Sequence, residues 1–322
     1  MSSESNEPLC PLVAVVGPTA SGKSTLALDI AERFSGEIVN FDSVQVYRSF
    51  EIGTAKTPLA ERRGIPHHLL DVVAPDAVFT AGDYAERARV VVDEIRSRSR
   101  LPVFVGGTGL YLRALLNGLF QGPKRDEALR ERLERRVESK PAGYLHRILK
   151  RVDPASAERI HPNDTPKLMR SIEVSLLASA PISTLWDEGT GRLEGYDVIR
   201  VGLNPARSAL YAKINQRTEQ MFNTGLVEET QALLTSGTPR SARPFGSLGY
   251  KQVLEFLDRR ITLEEAIEST AKKTRRYAKR QMTWFRREPD IHWLPGFGGE
   301  DAVRAEALAY VEGRARPLGR SR

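Results

Sequence analysis

The chain has 322 residues, 40% of them hydrophobic, with three Trp, eleven Phe and nine Tyr; that is enough to bury a full α/β core and a second, smaller unit. Its formal net charge of +7 suits a polyanionic partner, although an ordinary basic enzyme carries a similar balance. A single cysteine, Cys10, excludes an internal disulfide and any cysteine metal cluster. No apolar run approaches the roughly 20 residues that cross a bilayer, so no membrane partner is expected.

Residues 1–8 are polar and acidic rather than basic and then apolar, which predicts a loose tail on a cytoplasmic protein. Leu12 to Val16 reads as a buried strand. It empties into Gly17, Pro18, Thr19, Ala20, Ser21, Gly22, Lys23 and Ser24, and Thr25 to Phe34 has helical periodicity. This is G-x-x-x-x-G-K-S between a strand and a helix, the context the motif's physics demands. The glycines let the backbone wrap a phosphate with its N–H groups, and the positive end of the helix faces the same anion. Lys23 adds a point charge for the terminal phosphate and Ser24 a hydroxyl for Mg²⁺. The expected ligand is diphosphorylated.

Glu37 to Phe41 predicts a second strand that delivers Asp42 and Ser43 at its carboxyl end, the edge at which ligands sit in open parallel sheets. By itself Asp42 reads equally as a turn or capping carboxylate. Val44 to Ala74 is loop-rich, and its adjacent His67 and His68 read as packing or capping residues because no third metal ligand lies at useful spacing. Phe79 to Ser99 is predicted helical from Ala85, Ala88, Val91, Val92 and Ile95. Leu101 to Val105 then forms a buried strand ending in Gly106, Gly107, Thr108 and Gly109. It carries no acid where an ATPase usually keeps one for its metal.

From 121 to 195 the composition changes. Lys124 to Lys140 is dense in both charges, as a solvated helix outside the sheet would be, and Tyr144 to Val152 and Thr165 to Leu177 are further helices. Asp197 to Leu203 is strand-like again. Helices follow at Arg207 to Phe222, Leu226 to Leu234, Tyr250 to Leu257 and Leu263 to Phe285, and the stretch from 295 to 322 is expected to fray. The fold class is therefore α/β, a P-loop NTPase-like parallel sheet flanked by helices with a helical insertion domain. Its core is 9–120 and 196–294, its insertion 121–195.

Ala271 to Arg287 contains Lys272, Lys273, Arg275, Arg276, Lys279, Arg280, Arg286 and Arg287, interleaved with Tyr277, Trp284 and Phe285 and free of acidic residues. Like charges this dense repel within a helix, which a polyanion would relieve. Phosphates would supply affinity, and aromatic and Arg planes could stack on unpaired bases. A solvated face, or cations turned inward toward the diphosphate, are the other readings of the same residues.

Taken together, residues 17–24, Asp42-Ser43-Val44-Gln45, Ile52-Gly53-Thr54-Ala55-Lys56, Gly106-Gly107-Thr108-Gly109-Leu110-Tyr111 and Lys279 to Arg286 closely resemble the tRNA dimethylallyltransferases, which prenylate adenosine 37 beside the anticodon. The resemblance runs from about Leu12 to Trp293. It implies that residues 17–24 hold the diphosphate of dimethylallyl diphosphate with Mg²⁺, with Thr19 and Lys23 on phosphate and Ser24 on the metal. It implies that Asp42 is the general base and that Arg217, in Ile214-x-x-Arg217-x-x-x-Met221, serves the diphosphate beside it. Thr108, on the catalytic edge, and Arg130 match positions that contact tRNA. So do the blocks Asp42, Ser43, Val44 and Gln45; Pro166, Lys167, Leu168, Met169 and Arg170; and Lys279, Arg280, Gln281, Met282, Thr283, Trp284, Phe285 and Arg286. The insertion of the family closes on the anticodon arm of the tRNA. A monomer is expected, acting on tRNAs that read codons beginning with U. An adenylate prenyltransferase, a small-molecule kinase and a nucleotide-gated RNA-binding protein remain as alternatives. The first two leave the cationic aromatic helix without a use.

Overall fold

Apolar runs that alternate with amphipathic helices build a parallel sheet when every strand is covered on both faces, and the computed structural model has that arrangement. It describes residues 9–120, 122–123, 125–138, 140–185 and 189–315. In chain order the elements are β1 (Cys10–Val16), α1 (Lys23–Arg33), β2 (Gly36–Asn40), β3 (His67–His68), α2 (Ala81–Ser97), β4 (Leu101–Val105), α3 (Gly109–Asn117), β5 (Leu119–Phe120), α4 (Glu127–Glu138), α5 (Tyr144–Val152), α6 (Pro154–Arg159), α7 (Thr165–Ala178) and α8 (Ile182–Leu185). There follow β6 (Gly189–Thr190), β7 (Tyr196–Leu203), α9 (Arg207–Asn223), α10 (Leu226–Thr235), α11 (Tyr250–Leu257), α12 (Leu263–Phe285), β8 (Ile291–Leu294) and α13 (Asp301–Arg314). Two compact units result, one from Met1–Leu115 with Leu193–Arg322, the other Leu116–Arg192. Among the described residues no helix is long and apolar enough to cross a membrane.

The first unit is a six-stranded sheet in the order β3-β2-β4-β1-β7-β8, parallel throughout. Every residue of β1 and β2 is buried, as central parallel strands require. Val13, Val15, Val103 and Val201 meet Leu26 and Ile30 of α1 in one core. Because all six strands run the same way, their carboxyl ends deliver the phosphate loop, Asp42, the Gly106–Gly109 turn and the 295–299 loop to one edge.

One expectation is corrected in this unit. The stretch from 295 was expected to fray, yet Asp301–Arg314 is a helix whose Val303, Ala307 and Val311 are buried in the sheet core. Their i, i+4, i+8 spacing gives an apolar stripe hidden among Arg and Glu. Ahead of it, Gly298 N–H donates to Ser21 O at 2.9 Å, so this loop braces the phosphate loop. A Cβ on Gly298 would lie 2.2 Å from Gly22 O; only glycine permits that approach. Residues 1–8 and 316–322 lie outside the described residues. The paired histidines form β3 at the sheet edge. His68 Nε2 meets Glu37 Oε2 at 2.7 Å and His67 Nδ1 meets Ile65 O at 2.8 Å, and among the described residues no cluster of His, Cys, Asp and Glu could hold a metal ion.

The second unit packs Leu129 and Leu133 of α4, Leu145 and Leu149 of α5, and Leu168, Met169 and Ile172 of α7 into a separate core. A two-stranded antiparallel ribbon, β5 with β6, closes it. Asp153 caps α6, accepting from Ser156 N at 3.0 Å, and also accepts from Ser183 N at 2.9 Å. Glu173 has a side chain 0% exposed and is a charged group at the centre of this small core. It accepts from Arg130 Nε at 3.0 Å and Nη2 at 2.9 Å, Arg170 Nη1 at 2.7 Å and Asp126 N at 2.7 Å. Burial works against its charge, but these bonds win and hold its pKa down at about 2. A depressed folded-state pKa makes the contribution of Glu173 complete above its unfolded value and lost as pH falls through the carboxylate range toward 2. Replacing Glu173 with Ala leaves Arg130 and Arg170 without their counter-charge and is expected to cost about 3–5 kcal/mol. Urea unfolding of the full chain followed by limited proteolysis checks this: cleavage within 116–192 should come first in the variant, and below pH 4 the wild type should approach it.

Candidate active site on the carboxyl edge of the sheet

The phosphate loop leaves β1 and re-enters the backbone ladder at α1, whose N-cap is Gly22 in the left-handed region with no side-chain cap. The first N–H groups of α1 are thus left for an anion rather than consumed by a Ser or Asp hydroxyl or carboxylate. Lys23 folds back beneath the loop, and Nζ donates to Pro18 O at 2.7 Å. Thr19 is held from two sides: its N–H donates to Gln281 Oε1 at 2.7 Å, and its hydroxyl accepts from Arg217 Nη2 at 2.6 Å. Ser24, one residue into the helix, is exposed.

Two cations are therefore drawn under one loop. Burial, and after it the charge of Arg217, lower the pKa of Lys23 to about 7 against a partial offset from Asp42. Burial lowers Arg217 too, again offset by Asp42. Asp42 is the carboxylate close enough to act on both. Its Oδ1 accepts from Val44 N at 2.9 Å and Gln45 N at 3.4 Å, an Asx turn. Asn40 Oδ1 accepts from Asp42 N at 3.0 Å, and Asn40 Nδ2 donates to Leu69 O at 2.9 Å. The turn role raised by the sequence is thus real, but it occupies only Oδ1.

Thr108 completes this edge. Its hydroxyl accepts from Ser43 N at 2.9 Å and donates to Ser43 Oγ at 3.1 Å. Gln45 Nε2 donates to Thr54 O and Ala55 O at 2.9 and 3.3 Å, so the Ile52–Lys56 block braces the Asp42–Gln45 turn. Lys56, its side chain 1% exposed, closes that brace through Tyr47 O, Glu51 and Asp71. Burial raises the phenols of Tyr277 and Tyr111, and Asp42 raises them further; near the carboxylate these groups stay neutral.

The structure brings together Gly17 to Ser24, Asp42 to Gln45, Thr108, Arg217 and the inner face of α12. On α12 the Lys279–Arg286 block divides by face. Lys279, Arg280, Thr283 and Arg286 are exposed, whereas Gln281 and Phe285 are buried. The side chains of Gln281 and Phe285 thus do not form the outer surface expected of the whole block. Trp284 lies under Arg113, whose Cζ sits 4.3 Å from the ring centroid, and Arg113 Nε donates to Glu288 Oε1 at 3.0 Å. In the second unit, Pro166 and Lys167 are exposed and Arg170 is half-buried, but Leu168 and Met169 belong to the core. Arg130 is committed to Glu173. Sequence reasoning missed the 295–299 brace and Arg113. The Pro-Gly pair after the short strand Ile291–Leu294 was the available signal for the first; Arg113 had none.

A family model described as IPP transferase matches residues 45–288. A tRNA dimethylallyltransferase of Koribacter versatilis (strain Ellin345) is 54% identical over 301 residues, spanning 94% of this chain and 98% of that protein. One of Geobacter sulfurreducens is 44% identical over 93% of this chain and 96% of that protein. Among solved structures, the full-length tRNA isopentenylpyrophosphate transferase of Bacillus halodurans superposes with a TM-score of 0.71 at 38% identity, covering 95% of this chain and 96% of that one. A eukaryotic dimethylallyltransferase acting on tRNA gives 0.79 at 27% identity, covering 97% and 82%. With more than half of the sequence inside the family model and relatives matched almost end to end, the chain belongs to the IPP transferase family.

Proposed function

We propose that this protein, acting as a cytoplasmic monomer, transfers a dimethylallyl group from dimethylallyl diphosphate to N6 of adenosine 37 in tRNAs that read codons beginning with U, releasing diphosphate. The observation that carries the reading is the grouping of two half-buried cations, Lys23 and Arg217, with one carboxylate, Asp42, at the uncapped start of α1. Such a group suits a reaction in which a diphosphate leaves while a proton is removed nearby. The named relatives are dimethylallyltransferases of tRNA, and the exposed cations of α12 suit a tRNA.

The exocyclic N6 is a weak nucleophile because its lone pair is delocalised into the purine. The allylic carbon is electrophilic because a departing diphosphate leaves a resonance-stabilised cation-like centre. The N6–carbon bond forms as the carbon–oxygen bond to diphosphate breaks, and the N6 proton passes to Oδ2 of Asp42. The loop N–H groups, Lys23 and Arg217 take up the charge that develops on the leaving group. N6 is out of reach within a stacked loop, so adenosine 37 is turned out toward Asp42. Ser24 fits Mg²⁺: its hydroxyl is free at the helix start, and with no cluster of acids available among the described residues the remaining ligands would be phosphate oxygens and water, the usual arrangement for this ion. When bound, the ion adds positive charge opposite the leaving diphosphate. Lys279, Arg280 and Arg286 in the first unit, and Lys167 in the second, supply phosphate contacts.

Purified protein given dimethylallyl diphosphate, Mg²⁺ and unmodified tRNA, without ATP, should form N6-dimethylallyladenosine at position 37. Asp42→Asn keeps the turn-forming oxygen and should lower kcat by about 10²–10⁴ at unchanged tRNA Kd. Equal losses in kcat and tRNA affinity would make Asp42 an RNA contact instead, and product on AMP but not on tRNA would move the activity to adenylate.

Lys23 sets a pH dependence. Its pKa of about 7 in the free protein rises when diphosphate binds, so binding above pH 7 takes up a proton. Affinity is then full below pH 7 and falls by up to about tenfold per unit above it, where the diphosphate is already fully ionised. Titration calorimetry between pH 6 and 9 in two buffers of different ionisation enthalpy should find about one proton taken up at pH 8; a flat affinity with no uptake refutes it. For the RNA, Lys279→Ala with Arg280→Ala should lower the slope of log K against log salt by about one or two, and an unchanged slope removes this face from the interface.

A further inference from the structure

We infer that Gln281 is a positioning residue for the transfer, its side-chain amide fixing the diphosphate cradle at a set distance from the edge that carries the base. The inference rests on the function proposed above and adds a residue to it.

Gln281 is 5% exposed, although it sits among the cations of α12. Its Oε1 accepts from Thr19 N at 2.7 Å and its Nε2 donates to Gly107 O at 3.1 Å. Thr19 belongs to the loop whose hydroxyl Arg217 holds. Gly107 precedes Thr108, whose hydroxyl fixes Ser43 N beside Asp42. A single planar amide therefore links the side where the leaving group is gripped to the side where the proton is taken. One end must accept and the other donate, which a carboxylate or an alkyl group of the same size cannot both do. The contact is close enough to dictate the residue opposite. A Cβ on Gly107 would lie 2.2 Å from Gln281 Nε2 and 3.6 Å from Asp42 Oδ2. Because Lys279, Arg280 and Arg286 project from the other face of the same helix, RNA seated there bears on a rod already bolted to both halves of the site.

The test is steady-state kinetics with tRNA and dimethylallyl diphosphate, equilibrium tRNA binding by fluorescence anisotropy, and thermal unfolding, on the full chain. Gln281→Leu should lower kcat about 100-fold, the scale of a misplacement near 1 Å, with tRNA Kd within about twofold of wild type by the same argument that its side chain faces inward. Gln281→Glu keeps the acceptor for Thr19 and loses the donor to Gly107. Its rate relative to wild type at each pH should rise as pH falls toward 5 and the carboxyl regains a proton to donate, a readout a packing role does not produce. If the Leu variant fails to fold, the Glu profile decides. Gly107→Ala attacks the same link from the other end. Combined with Gln281→Ala, which makes room for the methyl, it should be no worse than the poorer single variant, whereas independent roles would multiply. The inference is overturned if tRNA Kd rises by the factor that kcat falls, if the Glu ratio is flat with pH, or if the losses multiply. Absence of prenylated adenosine from the wild type would instead bring down the proposed function, and this inference with it.

Discussion

Positive charge gathered where water is scarce is the constraint around which the first unit is built. Lys23 and Arg217 each lose solvation under the phosphate loop, and Lys23 is disfavoured further by the charge of Arg217; Asp42 offsets part of the cost for both. One carboxylate against two cations and an uncapped helix start leaves a net positive cradle. Such a cradle gains from an anion of two charges or more, as buried ions gain from a partner that completes their hydrogen bonds. The neutrality of Tyr277 and Tyr111 belongs to the same balance, since an ionised phenol there would compete with Asp42 for the cations. The parallel sheet matters because it is what brings the carboxyl ends of β1, β2 and β4 to one edge.

Holding that arrangement takes contacts between residues remote in sequence. Thr19 is tied to Gln281, 262 positions away, and to Arg217, 198 positions away; Ser21 is tied to Gly298. On the other side Asn40, Thr108 and the Lys56 brace fix the turn that carries Asp42. Gln281, Gly298, Asn40, Thr108 and Lys56 are themselves neither phosphate ligands nor bases. Their effect is geometric: the donors that would meet a leaving group stand in place before it arrives, which is the condition under which electrostatic stabilisation costs no reorganisation.

Much of this was legible in the residues, and the exceptions share a cause. Period and punctuation located α5, α11 and α12 to the residue, because glycines, Thr262 and Asp153 end or cap them chemically. The phosphate loop was legible because a local motif and its flanking strand and helix suffice to define it. What stayed hidden depends on tertiary partners. The stripe of α13 is only three residues wide and lies among charges. β3 is two residues whose strand character comes from pairing with Ile38 and Val39. Arg130 reads as one more surface charge in a mixed helix until Glu173, 43 positions away, is folded against it. A contact block read as a string of RNA ligands cannot reveal which of its members face inward; the helix phase on the sheet decides that.

Helix α12 shows how the two demands coexist. Its buried positions, Ala271, Thr274, Ala278, Gln281 and Phe285, recur every three or four residues and lie along one side, while Lys272, Lys279, Arg280 and Arg286 take the other. Neighbouring like charges one turn apart cost roughly 0.2–0.5 kcal/mol per pair. Burial of Phe285 alone returns about 1.5–3 kcal/mol, and the Thr262 capping box with Glu265 adds about 1 kcal/mol at the far end. Packing therefore outweighs the repulsion, and the helix is formed without RNA. Its cations are presented to a polyanion at a cost in folding that packing outweighs, while its inner amide keeps the catalytic edge assembled. A helix that required RNA in order to form would leave Thr19 and Gly107 unlinked between turnovers; this one keeps them joined throughout.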